Sequence, residues 1–463
     1  VRAIDLATSP PDAPSVEPPR DQLFLALLTL ALPVLAENAL NIVVGLNDAY
    51  LANHLPSDSQ SSTAAVGTVA YLLWFIGLFS GALGTGATAI ISRAIGARHR
   101  ARAHAACGQA MLLAATLGLI LGAIFLFAAP AIASLAGLHD HAHDLAVTYL
   151  RLLSPGAPFL VVLFVANASL RGAGDTRTPM LAMAIVNTIN VTLTWSLTFG
   201  YLGLPALGIR GIAIGTAIAY AVGAVMQTSV LLLGIGKLKL RMHRLRFHQV
   251  EMSRLLRIGA PSAAENAMMW GVNFFLVHTV NGIGEASSAA HLNSIRIESV
   301  AFMTGFAVAV AVSTLVGQSL GQKNPARARR AAYYGYALAG GAMTLAGLSF
   351  ILFNHAYADA MSPDPAVRAL TARCLFICGF TEWAFAAFII FSAALRGAGD
   401  TKAVMYINIF SVVGIRLAGV IIVGVVFHAS LPTIWIVLTS ELMLRGAFAY
   451  TRFRTGKWQH VKV

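Results

Sequence analysis

The sequence predicts an all-α integral membrane protein, with twelve transmembrane helices in two six-helix lobes related by a pseudo-two-fold axis along the membrane normal. Three observations carry that expectation. The 463-residue chain is 57% hydrophobic and only 11% charged, against roughly 25% charged residues in a soluble domain. Apolar stretches of about 20 residues, enough to cross a bilayer as a helix, recur throughout. They are apolar all round, as in LLWFIGLFSGALGTGATAII, and do not alternate as barrel strands do. Finally, LRGAGDT occurs at Leu170–Thr176 and again at Leu395–Thr401, which marks the chain as two copies of one unit.

Taken in order, residues 1–20 are proline-rich with both charge signs and read as a flexible tail. They lack the basic start and short apolar core of a signal peptide. The N-lobe, residues 21–235, holds spans at about Leu23–Leu55, Ser62–Ile95, His104–Leu135, Asp144–Leu170, Thr178–Leu202 and Ala206–Ile235. A basic linker, 236–257, leads to the C-lobe, 258–450, with spans at about Ile258–Asn281, Ser287–Leu320, Arg330–Ala356, Ala366–Leu395, Ala403–Phe427 and Leu431–Tyr450. Residues 451–463 form a C-terminal tail. Six spans per copy is an even number, so both copies enter the membrane with the same orientation. The repeat extends beyond LRGAGDT. IGARHRARA after the second span aligns with LGQKNPARA after the eighth, and Pro33-Val-Leu-Ala-Glu37-Asn38 aligns with Pro261-Ser-Ala-Ala-Glu265-Asn266.

Basic residues settle the orientation. Arg93, Arg98, Arg100 and Arg102, then Arg171 and Arg177, then seven from Lys237 to Arg257 fall on one side. Lys323, Arg327, Arg329 and Arg330, then Arg396 and Lys402, then the C-terminal tail join them there. That side is expected to be the cytoplasm, with both termini on it. The net charge of +13 therefore serves topology and anionic lipid rather than nucleic acid. No GxxxxGK[ST] phosphate loop, convergent nucleophile set or selectivity filter is present, which argues against ATP hydrolysis, enzymatic chemistry and a channel. Two bundles side by side leave a cleft, the geometry of a parallel-repeat transporter.

Ionisable groups inside spans are costly and are candidates for function. Glu37 and Asp48 are eleven residues apart in the first span, within about 20° of one face, with Asn41 between them. The alternative is a polar stripe that glues helices together. In the fifth span Asn187, Asn190, Thr194 and Thr198 share a face and can hydrogen-bond a protonated Asp48 or give oxygens to sodium. In the second copy Glu265 stands where Glu37 does, but Leu276 stands where Asp48 does. Asn266 and Asn273 line a neighbouring face of that helix. Glu298, Glu382, Arg416 and Glu441 lie deeper in the C-lobe and read best as structural ion pairs, with Arg416 needing an acidic or carbonyl partner. Trp74, Trp195, Trp270 and Trp383 lie within spans, where they can line the cleft for flat cations or simply pack. Cys107, Cys374 and Cys378 read as core residues. No metal site is expected, because two thiols are too few ligands. His139, His141 and His143 read as a solvated turn.

The paired LRGAGDT motifs, the first span ALPVLAENALNIVVGLNDAYLAN and the turn STLVGQSLGQKNPARA resemble the multidrug and toxic compound extrusion (MATE) transporters of bacterial type, over essentially the whole chain after residue 20. The resemblance implies secondary active antiport: export of organic cations or amphiphiles in exchange for protons or sodium ions, by alternating access, by a monomer with no further cofactor. It matches Asp48 to the family's coupling aspartate, Pro33 to the proline where that helix bends, and Asn190 to the aspartate's polar companion. Thr194 stands where one prokaryotic branch often carries a second aspartate. Glu265 lies about one turn before the glutamate of other branches. The nearest alternative is a lipid-linked precursor flippase of related fold. Twelve spans, and more acidic than basic groups within them, favour cations.

Overall fold

A computed structural model describes residues 20–55, 59–236, 238–240 and 247–461. The tail expected at residues 1–20 lies outside these residues apart from Arg20, which already belongs to the first helix. Twelve long helices follow in order: α1 (Arg20–Asn53), α2 (Ser59–Gly96), α3 (Arg100–Phe127), α4 (Asp140–Gly172), α5 (Arg177–Phe199), α6 (Ile209–Leu233), α7 (Gln249–Ile283), α8 (Glu285–Gly321), α9 (Pro325–Leu352), α10, α11 (Thr401–Val426) and α12 (Leu431–Arg454); among the described residues nine of them, or ten with the bent α10, are long and apolar enough to cross a membrane. Helix α10 has two parts, α10a (Pro365–Gly379) and α10b (Glu382–Gly397), bent by 57°. Helix α11 is wound as π-helix over Ile409–Leu417 and Ile421–Val426.

Several expected boundaries move. The third span stops at Phe127, because Pro130 starts a separate short helix, Ala129–Leu135. The seventh begins at Gln249, so residues 249–257 of the expected linker are helical; their charges lie on a turn that extends past the apolar run. The C-terminal tail is tied down. α12 runs on to Arg454, and Trp458 is fully buried, stacked on Phe453 at 4.9 Å. The histidine stretch is not a turn: Asp140 opens α4, and His143 hydrogen-bonds Ser134 and the Pro130 carbonyl.

The repeated LRGAGDT motif ends α4 and α10b in the same way. Gly174 and Gly399 take φ of 86° and 87°, a left-handed conformation that reverses the chain and favours glycine. The motif sits at the basic end of the bundle.

The lobes also meet at that end. α2 packs on α7 and α8. A Cβ on Gly86 would stand 2.8 Å from the Leu255 carbonyl oxygen, and one on Gly96 would collide with the Gln318 backbone, so glycine permits backbone-to-backbone approach. Thr314 of α8 donates to the Arg171 carbonyl at 3.0 Å. Arg93 of α2 donates to the Val461 carbonyl at 2.6 Å. Helix α1 is shared between the lobes. Leu23, Leu27, Leu30 and Ala31 are buried in the C-lobe core with α8, α10b and Trp458, whereas Leu51, Ala52 and Leu55 are buried in the N-lobe core. Between these anchors Asn41, Ile42 and Val43 are exposed. The stretch that carries Asp48 therefore belongs to a helix gripped by both lobes.

Candidate functional site

Asp48 is half-buried near the end of α1 remote from the basic side. Asn47 Nδ2 donates to its Oδ1 at 3.3 Å and lies 3.3 Å from Thr194 Oγ1 of α5. Asn47 Oδ1 accepts from Trp195 Nε1 at 2.6 Å. Trp195 is fixed in turn by Tyr50, stacked at 5.8 Å, and by Phe199 at 5.5 Å. One turn along α5, Asn190 Nδ2 donates to Thr216 Oγ1 of α6 at 3.1 Å. Tyr149 of α4 hydrogen-bonds Thr216, and Tyr149 and Tyr220 lie within electrostatic reach of Asp48.

The α5 stripe thus faces inward as its spacing requires: Asn187, Asn190, Thr194 and Thr198 are all buried. Asn190 Oδ1 and Asn187 Nδ2 have no hydrogen-bond partner among the described residues. Asp48 makes no ion pair among those residues either; its described hydrogen bond comes from neutral Asn47. A carboxylate withdrawn from water with only neutral neighbours is costly when charged. A proton removes the charge, and a sodium ion held by oxygens of the Asp, Asn and Thr type balances it. Asn47, Tyr149, Thr216 and Tyr220 escaped the sequence reading. Asn47 is adjacent to Asp48 and was legible there, but the other three sit on helices far away in the chain.

The structure does not bring Glu37 and Asn41 into this site. Eleven residues of helix place Glu37 about 16 Å from Asp48 along α1. Glu37 is buried and accepts from Arg171 of the first LRGAGDT, whereas Asn41 is exposed. Equal angle about a helix axis did not mean one constellation. Pro33 lies within α1, which runs as one helix through it. The proline leaves the Thr29 carbonyl without its i+4 amide donor, a soft point in the ladder.

Glu265 repeats Glu37: buried in α7, it accepts from Arg396 of the second LRGAGDT and from Asn408 of α11 at 2.6 Å. In each copy the motif's arginine holds the glutamate four residues after the helix proline. Deeper in the C-lobe, Arg416 donates to Glu441 Oε2 from Nε at 3.0 Å and from Nη2 at 2.8 Å. Arg445 reaches Glu441 Oε1 at 2.9 Å, and Asn273 lies 3.5 Å from Arg416 Nη1. Arg416 therefore has the acidic partner its depth demands. Glu298 and Glu382 do not form ion pairs among the described residues. They lie together with Cys378, whose Sγ donates to Glu382 Oε1 at 3.3 Å. Asn266 and Trp270 are half-buried on α7. Trp383 is largely exposed and donates to the Phe380 carbonyl at 2.9 Å. The Trp74 side chain lies outside the described residues.

Known proteins agree with this architecture. The MatE family model matches residues 33–196 and again 261–422, one match on each copy. A "Probable multidrug resistance protein NorM" of Thermotoga maritima is 28% identical over 433 residues, 94% of this chain and 92% of its own. The multidrug resistance protein PmpM of Pseudomonas aeruginosa is 26% identical over 399 residues, covering 84% and 82%. Among solved structures, MATE in the straight conformation superposes with a TM-score of 0.84 at 22% identity, over 94% of this chain and 97% of that one. A multidrug resistance MATE family transporter in an outward-facing conformation gives the same values. On these grounds the chain belongs to the MatE family of multidrug and toxic compound extrusion transporters and is not an enzyme.

Proposed function

We propose that the chain is a secondary active multidrug efflux antiporter that exports organic cations or amphiphiles and is driven by protons or sodium ions bound at Asp48. The observation that carries this reading is a half-buried carboxylate on a helix gripped by both lobes, surrounded by neutral donors and oxygens and with no cation paired to it among the described residues. The basic end is the cytoplasmic one, in the inner membrane of a bacterium, and the protein acts as a monomer. The lobes join at that end, which supports an outward-facing reading of this arrangement.

Arrival of the ion neutralises Asp48 and lets the Asn47–Thr194–Trp195 cluster close around it. That favours a different packing of α1, which yields at Pro33, and the cationic substrate is released outward. The return to the inward-facing state delivers the ion to the cytoplasm. An ion drives this cycle only through a difference in its affinity for the two states, and an aspartate whose surroundings change with α1 supplies one.

The test is export of ethidium from proteoliposomes with pH and sodium gradients imposed separately. Asp48→Asn keeps the size and hydrogen-bonding reach of the side chain but cannot bind or release the ion. It is expected to abolish gradient-driven export while the thermal unfolding midpoint stays unchanged. Gradient-driven export at the wild-type rate in that variant overturns the assignment.

A further inference from the structure

We propose that Glu298, Cys378 and Glu382 form a binding site for a thiophilic divalent transition-metal ion, of the Zn2+ class, inside the C-lobe. The residues come from three helical segments: Glu298 from α8, Cys378 from the last turn of α10a and Glu382 from the first residue of α10b. Cys378 and Glu382 are four residues apart across the 57° bend between the two halves of α10, and the thiol meets the carboxylate there. One ligand atom from each residue lies within 4.8 Å of the other two.

One pair already has the spacing a metal needs. Cys378 Sγ and Glu382 Oε1 are 3.3 Å apart. Bound to one tetrahedral zinc, with Zn–S about 2.3 Å and Zn–O about 2.0 Å, such atoms stand about 3.5 Å apart. Glu382 is 1% exposed, and its Oε2 has no hydrogen-bond partner among the described residues, so one buried carboxylate oxygen is left without the donor or cation that burial demands. Glu298, half-buried, is the least enclosed of the three and gives an entering ion its way in.

The donor set selects the metal. A thiolate with two carboxylates favours zinc, cadmium or cobalt over magnesium or calcium, which prefer all-oxygen sites. The charges also balance. Three anionic ligands and a divalent ion leave one negative charge, and the nearby Arg416 and Arg445, sharing the single Glu441, carry one positive charge in excess. Binding expels the thiol proton into solution and ties α8 to both halves of α10. The inference is independent of the antiport reading.

Cadmium is the probe, because its bond to a thiolate gives an ultraviolet charge-transfer band. The purified full chain, in detergent and free of any affinity tag, is titrated with Cd2+. The expected result is a band that saturates at one equivalent and is lost on competition by Zn2+, with the thermal unfolding midpoint raised by either metal. Cys378→Ser is expected to abolish the band, while Cys374→Ser and Cys107→Ser leave it intact. Glu382→Gln and Glu298→Gln are each expected to weaken binding by about tenfold or more. Should Cys378→Ser fail to fold, protection of Cys378 from maleimide by Cd2+ in the Cys107→Ser/Cys374→Ser background gives the same answer. No band and no protection at stoichiometric Cd2+ would overturn the site, as would a band that survives Cys378→Ser or ignores both glutamine variants.

Discussion

In the N-lobe, Glu37 accepts from Arg171, and Asp48 is left among neutral partners. In the C-lobe, Glu265 accepts from Arg396, and Arg416 and Arg445 share Glu441, while Glu298 and Glu382 lie with Cys378 outside any described ion pair. The two copies keep the bracket that pins the basic end of α1 and α7 and differ in almost everything further along. Positions 225 residues apart make the divergence concrete. Asn187, Asn190 and Thr194 in α5 correspond to Val412, Ile415 and Gly419 in α11, while Val191 corresponds to Arg416. The oxygens moved out of one helix and a fixed cation moved into the other. A satisfied ion pair holds a lobe together, whereas a carboxylate with only neutral neighbours leaves a vacancy for a mobile ion. Under the proposed antiport, this pattern gives ion exchange to the N-lobe and internal bracing to the Arg416–Glu441–Arg445 core of the C-lobe.

The sharpest way to break that comparison is at Glu441, which is fully buried, with the Arg445 and Arg416 side chains only 3% and 11% exposed. Glu441→Gln leaves two buried guanidinium groups without their anion. Removing one partner from such a pair costs roughly 3–5 kcal/mol. Chemical unfolding in mixed micelles should show a loss of that size, whereas Asp48→Asn should show almost none. Equal losses in the two variants would mean that Asp48 is also structural.

The contrast between the lobes was half legible in the sequence. The duplication, the spans and the inward face of α5 follow from local periodicity and self-similarity, which a single chain displays directly. Asp48 stood out because its counterpart is Leu276. What the letters did not show was which helices meet and at what rotation. Glu37 and Arg171 are 134 residues apart, and Glu298 of α8 meets Cys378 and Glu382 from a different helix. The bracket did leave a trace: Glu37 and Glu265 recur 228 residues apart and Arg171 and Arg396 recur 225 apart, so both members of each pair survived duplication. A glutamate and an arginine retained together point to a contact, and a polar stripe on a single helix does not. Tyr149, Tyr220 and the π-helical turns of α11 left no trace of that kind.

The brackets give the next largest effect. Arg171 and Arg396 keep 18% and 27% of their side chains exposed, so water compensates in part when the partner is lost. Glu37→Gln and Glu265→Gln should each destabilise by about 1–3 kcal/mol, the range for hydrogen bonds to charged groups. Glu265→Gln should be the costlier, because Glu265 also accepts from Asn408 at 2.6 Å. Both variants should retain gradient-driven export under conditions where they stay folded. Loss of coupling in Glu37→Gln with its stability intact would return that residue to the ion pathway.

The smallest effect is the most diagnostic of the Asp48 cluster itself. Trp195 Nε1 holds Asn47 by its oxygen at 2.6 Å, and this turns the amide so that Nδ2 points toward Asp48 and Thr194. Phenylalanine at 195 keeps an aromatic ring beside Tyr50 and Phe199 but removes the donor, freeing Asn47 to rotate. A hydrogen bond of this kind is worth about 0.5–1.5 kcal/mol, so Trp195→Phe should raise the half-saturating concentration of the coupling ion by roughly two- to tenfold while the maximal export rate stays close to wild type. Trp383 of the C-lobe serves as the control, since it donates to the Phe380 carbonyl within its own helix bend and touches nothing in the N-lobe cluster. Trp383→Phe should leave the ion dependence unmoved, and an equal shift in both variants would mean that coupling is spread over the two lobes rather than seated beside Asp48.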